Sequence, residues 1–381
     1  MTRLFIASPR GYCAGVERAV DTVEQVLSLY GPPVYVRKQI VHNRHVVRSL
    51  EGRGVVFVDS LADVPDRATV VFSAHGVAPA VREAARDRGL SSIDATCPLV
   101  HKVHAEVRRY AAAGHAIVLI GHAGHEEVEG TSGEAPDSVV LVQSVADAEQ
   151  ITLPVGRPVA YVTQTTLSVD DTRDIVAVLR RRFPNIVEPA REDICYATTN
   201  RQQAVKELLP LIDLLLVVGS SNSSNANPLV EVAHKMNVAA RLIEDEAEID
   251  EHWIGLYDSI GLTAGASTPE RVVGCVCDWF RAHGVTDVRE GRRSREDTRL
   301  QTANRASKRR ATEGARGSPA AVALTPARRW VLGADSERSS PDHDVPRDPG
   351  LASTTVAWQS RPEFPCLATV VPRKRAPSSG C

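Results

Sequence analysis

Residues 94–113, DATCPLVHKVHAEVRRYAAA, place Cys97 at the head of a stretch with helical amphipathic spacing. Two other cysteines, Cys13 and Cys195, stand in the same way at the head of a helical stretch. Three cysteines that share one local position, far apart in the chain, indicate an internal repeat.

Polar residues recur at nearly constant distances from these cysteines. At 29, 28 and 28 residues, the pairs are Cys13 with His42, Cys97 with His125 and Cys195 with Ser223. A second polar loop follows in each unit, at +62, +68 and +72, with His75, Thr165 and Ser267. Three units, each with one cysteine and two polar loops, predict a pseudo-threefold arrangement in which the cysteines converge on one axis.

Short β-branched runs alternate with helical patterns along the first 290 residues. The runs that predict strands are Val34–Val36, Val55–Val58, Val70–Ser73, Ala116–Ile120, Val139–Val142, Val159–Thr163, Leu214–Val218 and Ser259–Thr263. The patterns that predict helices are Gly15–Tyr30, Leu99–Ala113, Val169–Arg182 and Arg201–Leu209. This alternation predicts the α/β class with mainly parallel sheets, and ligands of such sheets bind at the carboxyl ends of strands.

The repeat divides the chain into three predicted α/β units, 1–97, 98–194 and 195–290, followed by a segment of different composition, 291–381. That last segment holds nine of the 23 prolines and has 17 Lys+Arg against 9 Asp+Glu. Because it has no sustained apolar periodicity, it is predicted to be a disordered tail. Its basic residues favour a solvated tail over a nucleic-acid contact.

Composition excludes several classes of protein. Aromatic residues make up 4% of the 381 residues, which disfavours a base-stacking surface, so no nucleic-acid partner is expected. Apolar runs fall far short of the roughly 20 residues that span a bilayer, so no membrane association is expected. Seven scattered cysteines do not form a disulfide framework, and they predict a cytoplasmic protein with reduced thiols.

Three converging cysteines can form a buried core cluster, a zinc site or an iron–sulfur site. Thiolates are soft ligands that suit both metals, and polar or glycine-rich neighbours disfavour the core. A [4Fe-4S] cluster normally takes four cysteines, so three would leave one iron open to an exogenous ligand. His101 and His104 could extend Cys97 into a zinc motif, but no second ligand pair follows, and both are interpreted as residues of the helix surface. Cys275 and Cys277 are interpreted as packing residues.

The polar loops are rich in groups that bind anions. Imidazoles, hydroxyls and an amide come from His42, His75, His125, Ser223, Ser224, Asn225 and Ser267. Because the chain contains no Gly-x4-Gly-Lys-[Ser/Thr] motif, the expected ligand is a small diphosphate rather than a nucleotide. A carboxylate within residues 124–130, GHEEVEG, could relay protons, although a charged surface loop is the simpler interpretation.

At these residues the chain resembles the LytB/IspH family of 4-hydroxy-3-methylbut-2-enyl diphosphate reductases. The matching stretches, in the family's order between about residues 3 and 288, are PRGYCAGV at 9–16, VHNR at 41–44, SAHGV at 73–77, DATCPLV at 94–100, GHAGH at 121–125, EVEGT at 127–131, TQTTLSVDDT at 163–172, DICYATTNRQ at 193–202, NSSN at 222–225 and TAGAS at 263–267.

The resemblance implies a set of roles for these residues. Cys13, Cys97 and Cys195 would hold one [4Fe-4S] cluster per chain, Glu127 would relay protons, and Thr165 would hydrogen-bond the substrate hydroxyl. The diphosphate would lie on His42, His75, His125, Ser223, Ser224, Asn225 and Ser267.

The reaction implied by the resemblance is a two-electron reductive dehydroxylation that yields isopentenyl and dimethylallyl diphosphate. A ferredoxin or flavodoxin-type protein would donate the electrons. Two positions depart from the family pattern: Glu126 stands where proline is usual, and Ser221 replaces a frequent lysine. A zinc-dependent phosphohydrolase and a non-catalytic cluster-bearing sensor are the competing hypotheses.

Overall fold

The computed structural model describes residues 2–291, in which short apolar runs form twelve strands that pair only in parallel. The strands are β1 (Arg3–Ile6), β2 (Val34–Arg37), β3 (Val55–Val58), β4 (Thr69–Phe72), β5 (Ser91–Asp94), β6 (Ala116–Ile120), β7 (Val139–Val142), β8 (Val159–Thr163), β9 (Leu214–Val218), β10 (Ala239–Ile243), β11 (Ser259–Ala264) and β12 (Val288–Glu290). The α-helices are α1 (Ala14–Tyr30), α2 (Arg44–Glu51), α3 (Pro79–Asp87), α4 (Pro98–Ala112), α5 (Glu126–Ser132), α6 (Val145–Gln150), α7 (Val169–Arg182), α8 (Tyr196–Leu208), α9 (Asn227–Lys235), α10 (Trp253–Leu256) and α11 (Glu270–Ala282).

The strands form three separate sheets. Sheet I has the order β3-β2-β4-β5, sheet II the order β7-β6-β8 and sheet III the order β10-β9-β11-β1-β12. In sheet III, Leu216 of β9 lies opposite Leu262 of β11 in the register. All five residues of β6 and of β9 are buried, as expected for parallel strands covered by helices on both faces.

Three helices carry the chain from one sheet to the next, and each begins at a cysteine. Cys13 is the N-cap of α1, which leads from sheet III to sheet I. Cys97 is the N-cap of α4, which leads from sheet I to sheet II. Cys195 is the N-cap of α8, which leads from sheet II back to sheet III. The three sheets therefore meet at the three cysteines.

The predicted class, α/β with three mainly parallel sheets, is confirmed. Strand bounds agree to within one residue for the eight predicted strands, and α7 has its predicted bounds. The predicted polar loop after Cys195 is wrong, because α8 begins at Tyr196, five residues before the predicted start. The sulfur of Cys195 accepts the backbone N–H of Thr198 and so starts the helix within that polar stretch.

The interpretation of His104 as a surface residue is also wrong. Its side chain is fully buried, and its Nδ1 lies 2.8 Å from Oε1 of Glu134. His101 is a surface residue, with 43% of its side chain exposed.

The unit boundaries at residues 97 and 194 stay a prediction. One observation bears on the first of them: β1 pairs with β11 and β12 in sheet III, not with the strands of sheet I. The predicted tail lies outside the described residues, as do Cys366 and Cys381. No helix within residues 2–291 is both long enough and apolar enough to cross a membrane.

Candidate active site

Cys13, Cys97 and Cys195 face a common point in the described structure. A Cβ atom added to Gly15 would lie 2.8 Å from the sulfur of Cys97 and 3.7 Å from that of Cys13. The nearby charges of Cys13 and Cys195 both raise the pKa of Cys97. Only a residue without a side chain at position 15 therefore leaves these sulfurs their present positions.

The three sulfurs do not form a site for a single metal ion. Tetrahedral zinc with Zn–S bonds of about 2.3 Å holds its sulfurs roughly 3.8 Å apart. Within residues 2–291, these three cysteines are not a set whose ligand atoms all lie within 4.8 Å of one another. The spacing therefore favours a larger metal group over a single zinc ion.

The cysteines remain thiols in the absence of metal. Burial, above all, raises the pKa of Cys97 to about 12, although the backbone N–H groups of Leu99 and Val100 oppose the shift. Burial likewise raises the pKa of Cys195 to about 11, against the hydrogen bonds of Thr198. Backbone donors at the helix starts thus point at the sulfurs, a geometry that supports thiolate once a cation is bound.

The three predicted histidines form one cluster at the carboxyl ends of β2, β4 and β6. The rings of His42 and His75 stack with centroids 4.2 Å apart, and the ring of His125 stands edge-on to them at 5.3 and 5.6 Å. Burial and the neighbouring imidazoles lower the pKa of His125 to about 3. Burial and His75 lower the pKa of His42 to about 3, against the opposing charge of Glu126.

His125 has a fixed tautomer. Its Nδ1 accepts the backbone N–H of Glu127 at 3.1 Å, so the ring proton is on Nε2. In the part of the chain that the structure describes, that buried Nε2 has no hydrogen-bond partner. A buried donor without a partner is costly, and an oxygen of a bound anion would satisfy it.

The predicted hydroxyl groups of sheet III adjoin the histidine cluster. The Ser267 hydroxyl donates to the backbone carbonyl of His42 at 2.9 Å, and it lies 3.3 Å from the hydroxyl of Ser223. Asn225 donates its backbone N–H to the Ser223 hydroxyl at 3.3 Å. The Ser224 hydroxyl accepts from that of Thr166 at 2.9 Å, which joins sheet III to sheet II. Loops from all three sheets thus meet in one polar pocket.

Glu127 lies between this pocket and the cysteines. Its side chain is buried, and its Oε1 accepts the backbone N–H of Thr165 at 2.6 Å. The backbone carbonyl of Thr165 in turn accepts the N–H of Cys195 at 2.9 Å. Burial raises the pKa of Glu127 despite its hydrogen bonds to Thr165. The sequence could not distinguish this carboxyl group from a charged surface loop, and the structure places it inside the site.

Glu126 belongs to the same pocket, which the sequence analysis did not foresee. Its Oε2 lies 3.1 Å from Nδ1 of His75 and 3.4 Å from the hydroxyl of Ser73. Burial raises the pKa of Glu126, but the hydrogen bond and charge of His75 outweigh burial and leave the pKa below its ordinary value. A glutamate at a position where proline is usual was the available signal.

Arg201 is a second residue whose position the sequence did not reveal. It is 1% exposed and donates to the backbone carbonyls of Gly11, Tyr12 and Ala197. Since Gly11 also donates to Ala264 and Cys13 to Ala266, the loop before α1 is held by sheet III and α8 together. Arg201 therefore fixes Cys13 relative to the helix that Cys195 begins.

Comparison with known proteins accounts for this arrangement of three sheets around shared cysteines. The family model described as LytB protein matches residues 4–287. The chain belongs to the LytB family. The family therefore spans sheets I, II and III, together with every residue of the pocket described above.

Several relatives in the LytB family are close in sequence. A protein of Cutibacterium acnes is 57% identical over 289 residues, which cover 76% of this chain and 90% of the relative. One of Acidothermus cellulolyticus is 56% identical and is covered to 85% of its length. Both are named 4-hydroxy-3-methylbut-2-enyl diphosphate reductase.

Solved structures agree with the fold. The E-1-hydroxy-2-methyl-but-2-enyl-4-diphosphate reductase of Plasmodium falciparum has a TM-score of 0.74 and 42% identity, covering 77% of this chain and 93% of the solved one. A second structure, described as (E)-4-hydroxy-3-methyl-but-2-enyl diphosphate reductase, the terminal enzyme of the non-mevalonate pathway, has a TM-score of 0.55 and 31% identity, covering 74% and 100%.

Proposed function

We propose that this LytB-family chain reduces 4-hydroxy-3-methylbut-2-enyl diphosphate to isopentenyl and dimethylallyl diphosphate, the last step of the methylerythritol phosphate route. The observation that carries the proposal is the meeting of three cysteines, one buried carboxyl group and a cluster of anion-binding donors at the junction of three sheets. The names of the relatives supply the substrate. The balanced reaction consumes two electrons and two protons, breaks the C–O bond of the hydroxyl group and releases water.

Cys13, Cys97 and Cys195 would hold a [4Fe-4S] cluster. The residues fit this group because three sulfurs face one point with a spacing too wide for a single ion, and backbone N–H groups already point at two of the sulfurs. When bound, the cluster supplies electrons one at a time and, with only three protein ligands, one iron open to the substrate. A ferredoxin or flavodoxin-type protein is the proposed electron donor, and the cytoplasm is the proposed location.

The diphosphate would bind across the sheet junction. The partnerless Nε2–H of His125 would donate to a phosphate oxygen, and the hydroxyls of Ser223 and Ser267 lie beside His42 for the same purpose. Ser224, Asn225 and the second imidazole, His75, complete the donor set. Neutral imidazoles donate one hydrogen bond each, so this pocket would hold the anion mainly by hydrogen bonds.

Thr165 and Glu127 would act at the other end of the substrate. The hydroxyl of Thr165 is placed to hydrogen-bond the substrate hydroxyl, and Glu127 to supply its proton. Burial favours the protonated carboxyl group, and a protonated carboxyl group is the form that can donate.

Anaerobic purification of the full chain tests this proposal. We expect broad visible absorption, iron and sulfide in equal amounts, and turnover of the diphosphate with a chemical reductant. Zinc in place of iron would support the phosphohydrolase instead, and a stable cluster without turnover would support the sensor.

Substitution of Gly15 by alanine offers a structural test of the shared cysteine site. The new methyl group would lie 2.8 Å from the sulfur of Cys97, so we expect the chain to lose most of its iron while it stays folded. Gly274→Ala is the matched control, because nothing lies within 4 Å of its added Cβ in α11. Iron analysis and circular dichroism measure both results. Equal iron in the two variants would place the metal group elsewhere.

A further inference from the structure

Two of the clustered imidazoles and one carboxylate share a second chemical possibility. His42, His75 and Glu126 each offer a ligand atom, and these three atoms all lie within 4.8 Å of one another. His75 and Glu126 are already in contact at 3.1 Å, with 12% and 13% of their side chains exposed. Within residues 2–291, no other group of three His, Cys, Asp or Glu side chains has this spacing.

The donor set selects a class of metal. Two imidazole nitrogens with one carboxylate oxygen suit Zn²⁺ or Fe²⁺ and leave further coordination positions open, whereas Mg²⁺ prefers oxygen ligands alone. Metal-bound histidines usually direct their second nitrogen to a hydrogen-bond acceptor. Nδ1 of His42 lies 3.3 Å from Oε1 of Gln39, which leaves its Nε2 for a metal.

The three ligands would come from rigid and different parts of the fold. His42 follows β2, His75 follows β4, and Glu126 is the first residue of α5, which follows β6. The residue before α2, Asn43, accepts the N–H of Val46 and caps that helix, which fixes the loop of His42. A site assembled from three anchored loops needs little rearrangement to bind an ion.

We propose that His42, His75 and Glu126 bind one divalent first-row transition metal ion, with Zn²⁺ as the representative ion. The ion occupies the anion pocket when no diphosphate is present, since both use the same imidazoles. Glu126 supplies the only negative charge among the three ligands, so binding depends on it most. This proposal does not rest on the reductase activity.

Equilibrium dialysis of the anaerobically purified full chain against Zn²⁺ tests the site. We expect one ion that the Glu126→Gln variant binds at least about tenfold more weakly, because an amide is a much poorer ligand than a carboxylate. Glu129→Gln is the matched control, an exposed glutamate on the same helix, and should bind as the parent does. Equal zinc binding in all three proteins would overturn the proposal.

X-ray absorption at the zinc edge separates this site from the cysteines. We expect only nitrogen and oxygen neighbours, at about 2.0–2.2 Å, and a sulfur shell at about 2.3 Å would overturn the proposal. Circular dichroism checks that Glu126→Gln remains folded. If zinc binds as expected but the diphosphate is not turned over, the metal site stands and the proposed reductase function fails.

Discussion

Replacement of Cys97 by serine should remove nearly all bound iron and abolish reduction of the diphosphate. A serine hydroxyl is a harder ligand and ionises far less readily than a thiol, so it holds iron–sulfur clusters poorly. The same result is expected for Cys13→Ser and Cys195→Ser, since each cysteine begins one of the three helices that join the sheets. Iron and acid-labile sulfide per chain are the measurements.

Cys277→Ser is the control for that series. Cys277 is buried in the apolar core of sheet III, on α11, apart from the three converging cysteines. Its replacement should cost about 1–3 kcal/mol of unfolding free energy through the buried hydroxyl and leave the iron content unchanged. Loss of iron from this variant, with iron kept by Cys97→Ser, would show that the ligands are wrongly assigned.

Replacement of Glu127 by glutamine should lower the turnover number by about 10²-fold or more while KM changes little. Glutamine keeps the size and the oxygen that accepts the N–H of Thr165, but it cannot donate a carboxyl proton. Steady-state kinetics measure both constants. Glu129→Gln, on the exposed face of α5, should behave as the parent does.

The pH dependence should change in the same variant. Because the protonated carboxyl is the active form, turnover should be full below the pKa of Glu127 and fall as pH rises through it. Burial raises that pKa above the ordinary value of 4.5, which extends activity to higher pH. The corresponding fall should be absent from the Glu127→Gln profile, and an unchanged profile would mean that another group supplies the proton.

Periodicity was sufficient to predict the buried strands. Runs such as those of β6 and β9 are apolar throughout because helices cover both faces, so the sequence marks them clearly. The strand β5 was not predicted, because its sequence SSID is half polar and its side chains are mostly exposed. The start of α8 was missed because threonine and asparagine are poor helix formers, and the cap from Cys195 is a tertiary detail.

Constant spacing predicted which residues would meet, but not what they would contact. The positions of His42, His125 and Ser223 after their cysteines placed them in equivalent loops. No sequence pattern showed that Glu126 would reach His75 across two sheets, or that His104 would be buried against Glu134. Such contacts depend on how the sheets are oriented, and local sequence does not encode that orientation.

The position of β1 has a consequence for the order in which the protein can be made. This strand is the first to leave the ribosome, yet it pairs with β11 and β12, the last two strands of the described chain. The loop that carries Cys13 is held by Ala264 and Ala266, which are synthesised some 250 residues later. Pairing of such distant segments is slow. The growing chain therefore carries a solvent-accessible thiol at Cys13 throughout its synthesis, and metal loading at the three cysteines must follow translation.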